Sequence, residues 1–220
     1  MPPVDVLIQL SDCEAISGGW LEQPVNAWSS LAFAGVGAGI AATAGNAEPR
    51  ERNDRLVFGG LLIATGIGSF LFHGPQPSAA QFLHDVTFLA ALWFLIATNV
   101  TGALSDRSRT GVTLLGILLI SAVLGAGALT NAVTGVLVVA LVVSEVVRWR
   151  TVRPDPAWYG VAIAALLVGL GLFIMGRTGS ALCDPGSLLQ AHAGWHALAA
   201  VFLGAYFFAT FPARTRSGSR

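Results

Sequence analysis

Lysine is absent from this sequence, and every one of its twelve basic side chains is an arginine. Charge of either sign is scarce. Asp, Glu, Lys and Arg together make up 11% of the 220 residues, against about a quarter in soluble domains. So few charges cannot coat a globule of this size. The net charge is zero and the arginines are dispersed, so there is no basic stripe to bind nucleic acid. The first 24 residues hold four acids, no base and no apolar core segment, so no cleaved signal peptide is expected. No internal repeat, low-complexity block or second domain is evident, and residues 1–220 read as one seven-span domain. Arginine in place of lysine, with abundant Ala, Gly and Val, suggests a GC-rich bacterial genome.

What fills the chain is apolar: 54% of it is hydrophobic and the mean hydropathy is +0.69. A spanning helix needs roughly 20 mostly apolar residues. Seven stretches qualify, at about 25–45, 56–73, 81–101, 111–129, 131–148, 157–176 and 191–211, behind an external segment at 1–24. The fourth and fifth are parted only by "LTNA", and "GNAEPRERNDR" and "LSDRSRTG" read as polar connections. Arg50, Arg52, Arg55, Arg107, Arg109, Arg148, Arg150, Arg153, Arg214, Arg216 and Arg220 then share one side, and Arg177 stands alone on the other. Because positive loops stay cytoplasmic, the expectation is an all-α bundle in a bacterial inner membrane, N-terminus outside and C-terminus inside.

That topology gathers the unusual polar residues. Ser69 and His73 stand four apart at the outward end of the second span, hence on one helical face. Asp85 lies just inside the outer end of the third span, and His192 and His196 repeat the four-residue spacing at the start of the seventh. Ionisable groups within a bilayer usually face the bundle interior for a functional purpose. Two imidazoles from one helix and one from another suit a zinc site with an open position, able to activate water and polarise a carbonyl. Asp85 would orient the water or take its proton, and Ser69 would donate to a developing oxyanion. Taken singly, each residue has a plainer role. A histidine can bond helix to helix, Ser69 can bond back to the carbonyl four residues earlier, and Asp85 can pair with Arg177. His84 points about 100° away from Asp85 around the helix and reads as a rim residue.

Two other features lie on the same side. Asp12, Glu14 and Glu22, among irregular Gly-containing backbone, suit a calcium ion. Alternatively they form a solvated acidic tail with Glu22 capping the first helix. Pro24 fits that helix's first turn, and Trp20 and Trp28 suit the interfacial aromatic belt. Cys13 and Cys183 are the only cysteines. Either they staple the N-terminal segment to the loop before His192, where a disulfide can persist, or they are unrelated thiols.

These pieces, in order, are "CE" at Cys13–Glu14, "WLEQPVNAWSSLAF" from Trp20, "GIGSFLFH" ending at His73, Asp85, and "HAGWH" from His192 to His196. The sequence resembles the alkaline ceramidases, within the larger group of seven-span hydrolases that includes the progestin and adiponectin receptors. The resemblance implies an amidase that cuts the N-acyl bond of ceramide into sphingosine and a fatty acid. It implies zinc on His73, His192 and His196, assisted by Ser69 and Asp85. It also implies calcium near Glu14 and Glu22 and a Cys13–Cys183 disulfide. The sequence departs from the family in carrying Ser11-Asp12 before Cys-Glu where Asp-Trp is usual. It also has a shorter Glu14–Glu22 segment, and Ser30 where Asn is frequent. A site within the outer leaflet would receive a lipid amide sideways from the bilayer, ceramide or another N-acyl lipid. The competing readings are a non-catalytic receptor-like protein with structural zinc, closed by a fourth protein ligand, and a bis-histidine haem protein.

Overall fold

The computed structural model describes residues 12–102, 104–125, 130–150 and 152–211. Within them run seven helices: α1 (Pro24–Ala42), α2 (Pro49–His73), α3 (Ala80–Val100), α4 (Asp106–Gly125), α5 (Thr130–Arg148), α6 (Pro156–Met175) and α7 (Ala191–Thr210). All seven are long and apolar enough to cross a membrane. No strand occurs among the described residues, only an isolated bridge between Asp12 and Arg177. α4 and α5 are separate helices, as a seven-span chain requires. Residues 1–11 of the N-terminal segment and Arg214, Arg216 and Arg220 lie outside the described residues.

Two helices begin earlier than their apolar runs. α2 starts at Pro49 rather than near 56, and α4 at Asp106 rather than near 111, so most of both polar connections is helical. Hydropathy marks where lipid begins, whereas a helix continues into the polar boundary as long as its backbone bonds are made. Proline at the first helical position starts α1, α2 and α6, where its missing N–H is no loss. Asp155 caps α6 by accepting from Ala157 N at 2.9 Å and Trp158 N at 3.1 Å.

Small residues set the helix spacing. A Cβ at Gly37 would lie 2.5 Å from the Gly59 carbonyl oxygen, and one at Gly59 would lie 2.6 Å from that of Gly37. Only glycine permits this approach of α1 and α2, the means by which membrane helices associate when lipid offers no hydrophobic drive. α1 also packs on α7, α2 on α3, α3 on α4 and α5, and α6 on α7. α5 and α6, consecutive in sequence, are not among the packed pairs. Phe58 stacks between Phe94 and Phe207, at 5.4 and 4.9 Å between centroids. Val136, Val139 and Val143 of α5 expose more than half their surface, as lipid-facing side chains do.

Apart from Arg177, the described arginines gather at one end of the bundle. Arg109 Nη2 donates to both Asp54 oxygens at 3.0 Å, Arg50 Nε lies 3.5 Å from Asp106, and Arg148 Nη1 donates to the Thr210 carbonyl at 3.1 Å. At the other end, Gln23 N donates to the His73 carbonyl at 2.8 Å and Glu22 N to that of Gly74 at 3.1 Å. These bonds press the start of α1 against the end of α2.

Candidate metal centre

His73 is the last residue of α2, and His192 and His196 occupy successive turns at the start of α7. All three are buried. Their ring centroids lie 5.2 Å (His73–His192), 5.0 Å (His73–His196) and 4.5 Å (His192–His196) apart. One donor nitrogen from each lies within 4.8 Å of the others, the only such group of three His, Cys, Asp or Glu among the described residues. The structure thus brings together the three histidines that sequence spacing selected.

Hydrogen bonding decides which nitrogen each ring offers. Gln23 Nε2 donates to the Glu14 carbonyl at 2.9 Å, so its Oε1, 2.8 Å from His73 Nδ1, must accept. His73 therefore carries its proton on Nδ1 and leaves Nε2 as a lone pair, buried and without a hydrogen-bond partner. Ser29 spends its hydroxyl proton on the Asn26 carbonyl at 2.9 Å, so its contact with His196 Nδ1 at 2.9 Å is one in which the ring donates. His192 Nδ1 lies 3.4 Å from Asp12 Oδ1, an ion-pair distance without a hydrogen bond. Two of the rings, His73 and His196, are thus held with Nε2 as the free base. Metal-binding histidines are oriented in this way by outer acceptors, and an orphaned buried lone pair is otherwise costly. The donor set fits a divalent metal.

Asp12 is the largest departure from expectation. Rather than joining Glu14 and Glu22 around calcium, it turns to the histidines, with Oδ2 3.9 Å from His73 Nδ1, and pairs with Arg177 at 3.6 Å. The cause is the Cys13–Cys183 disulfide, which the structure forms with Cα atoms 5.3 Å apart. With the Thr178 hydroxyl on the Asp12 carbonyl at 3.0 Å and Ala15 N on Pro185 O at 3.0 Å, it lays the N-terminal segment beside the start of α7. Glu14 accepts from Val25 N and Asn26 N, both at 2.8 Å, and so caps α1 in the role foreseen for Glu22. Burial pushes the Glu14 carboxyl above its ordinary range, the two backbone donors pull it down, and Asp12 raises it further. Glu22 accepts from Gly18 N at 2.9 Å within its own loop. The three acids have separate partners.

Ser69 and Asp85 each have side-chain partners of their own. Ser30 donates to the Asn26 carbonyl at 2.8 Å, so Ser69, 2.8 Å from Ser30 Oγ, gives its proton to that oxygen. Ser69 is buried behind His196 and does not line the cavity described below. Asp85 does not meet Arg177. Its Oδ1 is 2.8 Å from His84 Nδ1, and its Oδ2 accepts from the Thr130 hydroxyl at 2.9 Å. His84 is a cavity residue rather than a rim residue, and Phe72 stacks on its ring at 5.0 Å.

The histidines form one end of a cavity of about 760 Å³. His84 and Asp85 stand beside them, and apolar walls from Phe88, Leu92, Leu141, Phe202 and Leu203 lead away toward the arginine end. Of the consecutive pairs, α4–α5 and α5–α6 are both missing from the packed ones, and only the second borders the cavity on both sides, since α5 and α6 line it and α4 does not.

Comparison with protein-family models, with curated proteins and with solved structures finds no match.

Sequence spacing missed Gln23, Ser29, Asp12 and His84 as partners of the centre. The signal for the first two lay in "WLEQPVNAWSSLAF", where three polar side chains (Gln23, Asn26 and Ser29) recur every third residue on one face of an otherwise apolar helix start.

Proposed function

We propose that the protein is a zinc-dependent intramembrane amidase that hydrolyses the N-acyl bond of ceramide or a related N-acyl lipid. The observation that carries this reading is the meeting of three buried imidazoles, two of them with Nε2 freed by an acceptor on Nδ1, at one end of a long apolar cavity. His73, His192 and His196 would hold the metal, and a zinc ion there would supply acidity to a bound water and polarisation to a carbonyl. The resemblance to the alkaline ceramidases rests on the same residues and points the same way.

The chain's own groups do the rest. Gln23 and Ser29 fix the His73 and His196 rings, and Asp12 lies against His192. Apolar walls align the acyl chain, whose burial is worth about 0.8 kcal/mol per CH₂, and exclude bulk water from the reacting carbonyl. In hydrolysis, water oxygen bonds to the acyl carbon, the C–N bond breaks and the amine nitrogen takes up a proton. His84 is the imidazole on the cavity wall placed to hand over that proton, with Asp85 on its Nδ1 fixing the tautomer. Ser69 acts through Ser30 as support for His196 rather than as an oxyanion donor.

Two features separate this reading from its rivals. The group of three has no fourth protein ligand among the described residues and borders the cavity, unlike a closed structural zinc site. Centroids 4.5–5.2 Å apart leave no slot for a porphyrin between any two rings. With the arginine end cytoplasmic, the centre faces the external side, and lipid reaches it between α5 and α6. The test is to incubate purified protein with N-acyl lipids, with and without a zinc chelator, beside His73→Ala. Fatty acid released only by the intact, metal-loaded protein supports the proposal, and equal release from the variant contradicts it.

A further inference from the structure

Arg177 is the one described arginine at the metal end of the bundle, and no other arginine lines the cavity. Loops on the external side seldom carry positive charge, so its position is unusual. It is also firmly held. Gly176, just before it, lies so close to the start of α7 that an added Cβ would be 2.7 Å from Ala191 Cβ and 3.0 Å from His192 N. The Arg177 backbone bridges to Asp12, and the Thr178 hydroxyl donates to the Asp12 carbonyl at 3.0 Å. The guanidinium lies over the Phe173 ring, 4.8 Å from its centroid, and Phe173 packs on Trp195 at 5.3 Å.

A guanidinium carries five N–H donors in a planar fork. Arg177 pairs with Asp12 through Nη1 at 3.6 Å, its only side-chain ion pair or hydrogen bond among the described residues. Asp12 is shared, since the same oxygen stands 3.4 Å from His192 Nδ1. With 42% of its side chain exposed where it borders the cavity, Arg177 can take a second acceptor beside Asp12. One carboxylate separates it from a histidine of the metal centre. An amide with its carbonyl at the histidines lays its acyl chain along the apolar walls, which leaves the amine side for Arg177. There a carboxylate or phosphate accepts two parallel N–H bonds from the fork, as a single hydroxyl cannot.

We infer that Arg177 forms a head-group subsite for an anionic N-acyl lipid, whose carboxylate or phosphate lies within a few bonds of the amide nitrogen. This deepens the amidase reading on which it rests. It narrows the substrate class to acidic lipid amides such as N-acyl amino acids and places neutral amides, ceramide included, second.

Binding is measured without turnover on the metal-loaded protein, using ketone isosteres in which CH₂ replaces the amide N–H. Isosteres of N-oleoylglycine, N-oleoyl phosphoethanolamine and neutral N-oleoylethanolamine are titrated into wild type, Arg177→Gln and Arg177→Lys in one detergent. Partitioning into micelles then cancels between proteins. The better anion should bind wild type about tenfold more tightly than the neutral compound, as expected for one charge-assisted hydrogen bond. Which anion gains more assigns carboxylate or phosphate. Arg177→Gln should bring the ratio toward one, and Arg177→Lys, which keeps the charge without the fork, should give an intermediate value. The lysine variant decides if the glutamine variant does not fold. Equal binding of the three by wild type overturns the subsite. So does a ratio unchanged in the variants, the result if Arg177 only steadies Asp12. Release of oleate from the three amides, measured in parallel, tests the amidase reading separately, because its absence would leave the binding ratios standing.

Discussion

Gln23 accepts a hydrogen bond from His73 Nδ1 at 2.8 Å, and the direction of that bond is forced because the Gln23 amide nitrogen is already donating to Glu14. One glutamine at the start of α1 thus sets the tautomer of a histidine at the end of α2. Replacing it should weaken the metal site without touching a ligand. Gln23→Leu is expected to lower zinc affinity about 10- to 100-fold, read by competition with a chromophoric chelator. Gln23→Glu, which keeps an acceptor, should retain most of the affinity.

Asp12 separates two readings of the N-terminal acids. Facing His192 at 3.4 Å, it should support the same centre, so Asp12→Ala lowers zinc affinity by about tenfold. Excess calcium should not restore it. Restoration by calcium would mean that Asp12 serves a calcium site.

The His84–Asp85 pair is expected to affect turnover and leave metal content unchanged. His84→Gln and Asp85→Asn should each lower kcat by about 10²- to 10⁴-fold, the usual worth of general acid–base catalysis. The double variant should be little worse than either, because the two side chains act as one unit. Loss of zinc in the single variants would instead mark the pair as structural.

Cys13→Ser with Cys183→Ser should lower the thermal midpoint, since removal of a native disulfide typically costs about 2–5 kcal/mol. Zinc should also dissociate more readily, because the bond holds Asp12 against the histidines. An unchanged zinc off-rate would show that Asp12 is positioned by its other bonds.

Much of this was legible before any coordinates. Seven spans follow from apolar length, and the histidine triad follows from two four-residue spacings combined with alternating helix direction. The helix starts at Pro49 and Asp106 were not legible, because hydropathy reports lipid contact and is silent on backbone bonding beyond it. Nor were the roles of Asp12 and Ser69. Asp12 is carried to His192 by a covalent bond 170 residues long in sequence, and Ser69 is taken out of the cavity by a proton count involving Ser30 and Asn26. Spacing says which residues share a face. It does not say which oxygen already has a partner.

X-ray absorption at the zinc edge, on protein purified without added metal, tests the central claim most directly. One zinc per chain is expected, with three imidazole nitrogens at about 2.0–2.1 Å and a remaining position held by a light, exchangeable ligand, and His192→Ala should abolish binding. Metal-free protein, a sphere closed by four protein ligands, or full zinc retention in that variant would contradict it.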